Sequence, residues 1–303
     1  MRGARLKAFA KVNFALDVLG LRVDGYHDIS TVMQSISLSD EVEIECIGEG
    51  FELTFEPEGA EIGPPERNTA YVAWKSLQRL TGRALPASVR LRKWIPVGAG
   101  LGGGSADAAA VLVGLNELFE LGLRADELRE VGARVGADVP FCISGGTALA
   151  EGVGETLTPL PGPPAQHLVL AKPHHSADTG EIYRAHDAAG MESARYVEPV
   201  MSALQSGSLR DLAASVGNDL ASVTSDLVPE VAALRRDLLA HGALGAAMSG
   251  SGTAVYGIFD NQGAAERAAN AVDAPFTGVY EPVAHGVEIV RAWPQATGFR
   301  SFP

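Results

Sequence analysis

Apolar and polar residues alternate strictly near the start of the chain. Val12, Phe14, Leu16 and Val18 interleave with Asn13, Ala15 and Asp17, the period-2 pattern of a half-buried strand. "EVEIECI" and "FELTFE" repeat it and "SVRLRKWI" carries a weaker version, so the first hundred residues read as largely antiparallel sheet. One helix interrupts them, from Thr69 to about Leu80, stopped by Gly82. Beyond a glycine-rich run the period becomes helical: Val111, Leu112, Leu115, Leu118 and Phe119 form one stripe. A short helix follows, with Asp126 as its expected N-cap. "GADVPFCISGG" then reads as a compact loop, because Pro140 forbids a continuing helix.

The stretch "TLTPLPGPPAQ" at 156–166 holds four prolines and a glycine and reads as a linker, dividing the chain into 1–157 and 158–303. After it come a strand, "LVLAKP", and mostly helical sequence to about residue 240, with Pro229 suited to a first helical turn. A turn-rich "MSGSG", a strand "AVYGIF", a helix near 262–272 and a last strand "VEIVRAW" complete the second part. The tail "PQATGFRSFP" is expected to fray. The mixture of strand and helix patterns is that of an α+β protein.

Charge narrows the partners. Lys and Arg total 24 against 37 Asp and Glu, a formal net charge of -13. Nucleic acid and anionic membranes both demand clustered positive charge, so neither is an expected partner. Hydrophobic residues make up 46%, ordinary for a globular protein, and no apolar run is long enough for a membrane span. Cys46 and Cys142 lie in unrelated contexts, with no zinc-site spacing. A cytoplasmic protein is expected.

Glycine, at 35 of 303 residues, exceeds its usual ~7%, and its densest run is "PVGAGLGGGSADAA". Gly98, Gly100 and Gly103 satisfy G-x-G-x-x-G, but the preceding "VRLRKW" is charged and alternating. A dinucleotide fold needs a buried parallel strand there. No G-K-[ST] closes a Walker loop either. A more general reading survives. Consecutive glycines let backbone N–H groups converge on an anion, Ser105 can cap the next helix, and that helix directs its positive end to the same place. Asp107 is discordant, since its carboxylate would repel a phosphate if it pointed inward.

That run resembles the phosphate-binding motif of the GHMP kinases, the small-molecule kinases of galactose, homoserine, mevalonate and phosphomevalonate. "KAFAKVNFALDVLG" resembles the family's first motif and "AAMSGSGTAVYGIF" its third, a Gly/Ser turn that lies against the phosphate loop. The resemblance implies a two-domain fold: an N-terminal mixed or antiparallel sheet with helices, a C-terminal ferredoxin-like α/β sandwich, and an active site in the cleft between them. Within the family, "AKVNFALDVLGLRVDGYHDI" and "GADVPFCISGGTALAEGVGE" resemble the members that phosphorylate a cytidine-diphospho methylerythritol on its 2-hydroxyl, a step of the non-mevalonate isoprenoid route. A homoserine- or mevalonate-type kinase and a non-catalytic nucleotide-binding protein on the same fold are the alternatives.

The resemblance implies roles for individual residues. Pro96, Val97, Gly98, Ala99, Gly100, Leu101, Gly102, Gly103, Gly104, Ser105 and Ala106 would hold ATP, with Asn68 and Thr69 lining the adenine pocket. Asp138 matches the carboxylate that takes the hydroxyl proton, and Lys11 the catalytic lysine that steadies the moving negative charge. Tyr26 would stack on the cytosine, His27 would hydrogen-bond it, Tyr183 would offer a second aromatic face, and Asn13 would contact the methylerythritol end. Mg²⁺ should accompany ATP. Ser105 is a candidate contact for it and no acid is assigned. His167, His174, His175 and His241 are read as surface or loop residues, and the chain as a monomer or weak homodimer.

Overall fold

A computed structural model describes residues 2–57 and 64–294. The tail from 295 onward, expected to fray, lies outside them. The N-terminal part runs β1 (Gly3–Leu21), β2 (His27–Cys46), β3 (Phe51–Glu56), α1 (Thr69–Thr81), β4 (Ala87–Arg92), α2 (Gly103–Leu118), α3 (Ala125–Ala133), α4 (Val139–Ser144), β5 (Thr147–Gly152) and β6 (Thr156–Pro159). The rest runs β7 (His167–Lys172), α5 (Thr179–Ala189), α6 (Val197–Ser206), α7 (Leu209–Ser215), β8 (Gly217–Asn218), α8 (Ala221–Leu227), α9 (Glu230–Ala240), β9 (Gly245–Met248), β10 (Val255–Phe259), α10 (Gln262–Ala271), β11 (Phe276–Tyr280) and β12 (Val287–Trp293).

One sheet follows the path β12-β1-β2-β4-β3, with β5 and β6 extending from β2 and the short β8 beside β1. It is antiparallel as expected, with exceptions. β3 pairs with β4 in parallel, because α1 lies between them as a crossover helix, the connection a parallel pair requires. β8 also lies parallel to β1. The second sheet has the order β11-β7-β10-β9, every pair antiparallel. That is the split βαβ order of a ferredoxin-like sandwich. β6 crosses the 157/158 position, and β12 returns the chain to the first sheet.

Several local expectations are corrected. β1 is buried on both faces: Lys11, Asn13 and Asp17 are as enclosed as Val12 and Phe14. The C-terminal part covers the polar face, and Asp17 is used there, accepting hydrogen bonds from Tyr196 N at 2.7 Å and Val197 N at 3.2 Å at the start of α6. The Asp17 carboxyl is pushed up by that burial. Pro140 does not exclude a helix, because it sits in the first turn of α4, where a missing N–H costs nothing. Thr156–Pro159, assigned to a linker, pairs with β5. Asp126 lies inside α3. Arg124 is the capping position, and its N–H donates to Glu127 Oε2 at 2.9 Å.

The helix after the glycine run is more deeply buried than its stripe implies. Ala106, Ala108, Ala109, Ala110 and Gly114 are enclosed along with Val111, Leu112, Leu115 and Leu118. A helix apolar on all sides belongs in a core, and small residues let α2 lie close on the first sheet: a Cβ at Gly114 would stand 2.6 Å from Ile44 Cδ1. The core thus anchors α2 rigidly, and its N-terminus carries the glycine loop. Among the described residues no helix is long and apolar enough to cross a membrane.

Candidate active site

The glycine loop has two surfaces to meet. Leu101 O accepts from Lys11 N at 3.0 Å, which ties the loop to β1. Ala99 O accepts from Ala254 N at 3.0 Å, and Gly100 O accepts from Ser249 Oγ at 2.9 Å, which ties it to the "MSGSG" turn after β9. The turn therefore lies against the loop. Gly100 has φ +74 and a Cβ there would fall 2.0 Å from Ser249 O, so the closeness requires glycine. Gly100→Ala is expected to cost about 2–4 kcal/mol, from left-handed strain plus overpacking, and to weaken nucleotide binding. Denaturant unfolding and the KM for ATP check it.

Ser105 does not cap α2. Gly102, at φ 71, precedes the helix and no side chain caps it, while Ser105 is the third residue of the helix. The uncapped amides of that first turn are the orphan donors that an anion satisfies. Asp107 is resolved by a partner the sequence reading missed. Lys93 Nζ contacts Asp107 Oδ2 at 2.5 Å and also pairs with the buried Asp40. Asp40 in turn accepts from Trp94 N and Ile95 N, at 2.5 and 2.8 Å. One ammonium thus serves two enclosed carboxylates. Burial pushes Asp107 up to about 7, the neighbouring Asp40 adds to this, and Lys93 opposes it.

A carboxyl raised from 3.8 to about 7 on folding opposes folding above pH 7, and this opposition fades as pH falls toward 4. Asp107→Asn removes it. The melting temperature of the variant relative to wild type is expected to be higher at pH 8 than at pH 5, by roughly 2–5 °C. Equal differences at both pH values would contradict the burial argument.

Two cavities meet at the loop. One, of about 270 Å³, is bounded by Asn68, Thr69, Lys93 and the run from Pro96 to Gly104. Asn68 caps α1, its Oδ1 accepting from Ala70 N at 2.8 Å, and Thr69 Oγ1 donates to Gly104 O at 2.6 Å. Both residues hold this wall in place. The other cavity, of about 830 Å³, is lined by Lys11, Asn13, Tyr26, His27, Gly98, Gly100, Gly102, Ser105, Asp138, Tyr183 and Gly250–Gly252. Of the ATP-loop residues, Ala106 is the one fully enclosed in α2, away from both lining sets.

Lys11 and Asp138, 127 positions apart, meet in the second cavity with Nζ 3.2 Å from Oδ2. Asp138 precedes α4 without capping it, so its carboxylate is left to the cleft. Lys11 is 4% exposed and Asp138 29%: the ammonium is enclosed and the carboxylate open to a ligand. Lys11 Nζ also donates to Asn13 Oδ1 at 2.8 Å, and Asn13 Nδ2 donates to Thr31 Oγ1 at 2.8 Å. Asn13 thus lines the cavity with its amide already engaged.

At the other end, the β1–β2 turn presents Tyr26. Asp24 Oδ1 accepts from Tyr26 N at 3.1 Å, and Arg22 pairs with both Asp24 and Asp28. Gly25 makes the turn at φ +85. Tyr26 is 66% exposed, and its ring stacks on no other aromatic among the described residues. His27 stacks on Tyr183, ring centroids 4.6 Å apart and planes 28° apart, and its Nε2 lies 2.8 Å from Asp187 Oδ1. Burial, with the Asp138 charge adding, pushes the Tyr183 phenol up to about 12. Asp187 was not among the sequence candidates. Its signal was its place four residues after Tyr183, on the same helix face. Of the histidines read as surface or loop, His167 instead opens β7.

The family description "GHMP kinases N terminal domain" matches residues 68–146, and "GHMP kinases C terminal" matches 200–278. The 4-diphosphocytidyl-2-C-methyl-D-erythritol kinase of Caldicellulosiruptor bescii is 42% identical over 265 residues, 88% of this chain and 92% of that protein. A crystal structure of 4-(cytidine 5'-diphospho)-2C-methyl-D-erythritol kinase superposes with a TM-score of 0.76 at 33% identity, over 91% of this chain and 99% of that one. A homoserine kinase from Cytophaga hutchinsonii reaches the same TM-score at 19% identity, over 95% and 97% of the two chains. At that identity the likeness is one of fold alone.

Proposed function

The chain belongs to the 4-diphosphocytidyl-2-C-methyl-D-erythritol kinases of the GHMP family, and we propose how its cleft carries out their reaction. It is a phosphotransferase with an alcohol acceptor, moving the γ-phosphate of ATP to the 2-hydroxyl and leaving ADP. The triphosphate lies along Gly98–Ser105, with the uncapped amides of α2 as donors. The adenine lies in the smaller cavity beside Asn68 and Thr69. The cytidine end occupies the larger cavity near Tyr26, His27 and Tyr183. The 2-hydroxyl then reaches the junction, where Asp138 takes its proton and Lys11 stabilises the charge passing between the two oxygens. Asn13 holds the Lys11 ammonium in place. With the chain divided at 157/158, the loop and the Lys11–Asp138 pair come from the first part and Tyr183 and the Gly250–Gly252 turn from the second.

Mg²⁺ takes oxygen ligands and keeps several waters. The Ser105 hydroxyl and the Asp138 carboxylate both line the larger cavity, a donor set that fits an ion carried chiefly by phosphate oxygens. When bound, it neutralises charge on the β and γ oxygens.

The observation that carries this reading is the Lys11–Asp138 contact at 3.2 Å, placed between an anion loop and an aromatic pocket. A panel of acceptors with ATP tests it. The cytidine-diphospho methylerythritol is expected to give turnover, and homoserine and mevalonate none. Turnover on either of the latter, or ATP binding without any transfer, would contradict it.

A further inference from the structure

Tyr26 stacking does not choose among bases, because every base offers a π-face. Choice requires a reader of the base edge, and the reader's own hydrogen must be fixed in place. A neutral imidazole has one donor and one acceptor nitrogen, and the partner of one nitrogen settles the role of the other. In this cleft the partner is Asp187, whose Oδ1 lies 2.8 Å from His27 Nε2.

We infer that Asp187 makes the base pocket select a 4-amino pyrimidine over a 4-oxo one, by holding His27 as the Nε2–H tautomer so that Nδ1 is an acceptor. An ionised carboxylate only accepts, so the hydrogen of the neutral ring stays on Nε2. The ring cannot turn over to reverse this. Its side chain is 8% exposed, and one face is covered by Tyr183 at 4.6 Å. Tyr183 and Asp187 sit four residues apart on α5, so one helix supplies both the cover and the anchor. Cytosine carries an amino donor at position 4, which an Nδ1 lone pair accepts. Uracil carries a carbonyl there, and two acceptors would face each other with no hydrogen between them. A desolvated, unpaired polar group is what separates such analogues most strongly.

The inference rests on the placement of the cytidine end given above, and the test separates the two. Wild type, Asp187→Asn and Asp187→Glu are assayed by ADP release with ATP and either cytidine- or uridine-diphospho methylerythritol. The His27 ring tautomer is read by ¹⁵N NMR of histidine-labelled full-length protein. An amide at 187 can accept from or donate to Nε2, so it permits either tautomer, whereas glutamate restores the acceptor. The cytidine-to-uridine ratio of kcat/KM is expected to fall about tenfold or more in Asp187→Asn, through the KM of both pyrimidine substrates. The KM for ATP should stay unchanged. Asp187→Glu is expected to recover most of the ratio. The wild-type ring should carry its hydrogen on Nε2, and Asp187→Asn should show both forms. An unchanged ratio in Asp187→Asn, or a wild-type hydrogen on Nδ1, overturns the inference. A wild type inactive on both pyrimidine substrates overturns the kinase reading itself, a result distinct from an active enzyme whose preference survives the substitution.

Discussion

Asp138→Asn is expected to lower kcat by about 10³–10⁴-fold, at the upper end of what a positioned general base contributes. The side chain keeps its size, and its carboxylate makes no capping bond that α4 depends on. The ion pair with Lys11 is lost, but Lys11 keeps Asn13 Oδ1 as an acceptor at 2.8 Å. The fold should therefore persist, and the KM values for ATP and the cytidine substrate should move far less than kcat. Steady-state kinetics and a melting curve decide it. Turnover within tenfold of wild type would remove Asp138 from the chemistry.

Lys11→Met is expected to lower kcat by about 10²–10³-fold, the scale of losing one preorganised charge at the transferring group. Methionine fits the enclosed stem of a residue that is 4% exposed. Two costs accompany it. Asn13 Oδ1 loses its 2.8 Å donor, and the single hydrogen of the Ser249 hydroxyl, 3.3 Å away, is already given to Gly100 O at 2.9 Å. Asp138 also loses its cation, which matters less than usual for a buried pair because the carboxylate is 29% exposed and water can replace the partner. A stability loss of about 1–2 kcal/mol is expected, with circular dichroism unchanged. Near-normal turnover in Lys11→Met would contradict its assigned role. The double variant should be scarcely slower than Asp138→Asn alone, since residues that act as a unit are strongly non-additive.

Much of the architecture was legible in the chain because it is local. The alternation from Val12 to Val18 is a strand, Gly82 ends α1 at φ 63, and the apolar run after Gly104 is a buried helix. What the sequence could not carry is long-range. Alternation implied one solvent face for β1, but Tyr196 and Val197 cover it from some 180 positions away. "FELTFE" and "SVRLRKWI" hold no mark of relative direction, and the crossover through α1 makes them parallel. Pro140 and the Thr156–Pro159 segment show that proline forbids a donor, not an element. Ser105 looked like a cap because serine usually is one, yet glycine at 102 takes that place, and the amides of the turn stay available.

The candidate site was legible by residue type and not by arrangement. Lys11 and Asp138 were named without any means of placing them together, and the 3.2 Å contact is the structure's contribution. Asp107 looked hostile to a phosphate until Lys93, fourteen positions earlier, was found against it. Asp187 was invisible as a functional residue because its effect passes through His27. Side chains that act on other side chains leave little trace in composition or period.

In the proposed mechanism the Lys11–Asp138 junction transfers the γ-phosphate of ATP to one hydroxyl of the cytidine substrate. Phosphorus NMR of the mixture formed by wild-type protein, Mg²⁺, ATP and 4-diphosphocytidyl-2-C-methyl-D-erythritol tests this most directly. One new phosphomonoester on the 2-position, equal in amount to the ADP formed and absent with Asp138→Asn, is the predicted result. ADP accompanied only by inorganic phosphate, or a phosphate ester that forms equally well with Asp138→Asn, would contradict it.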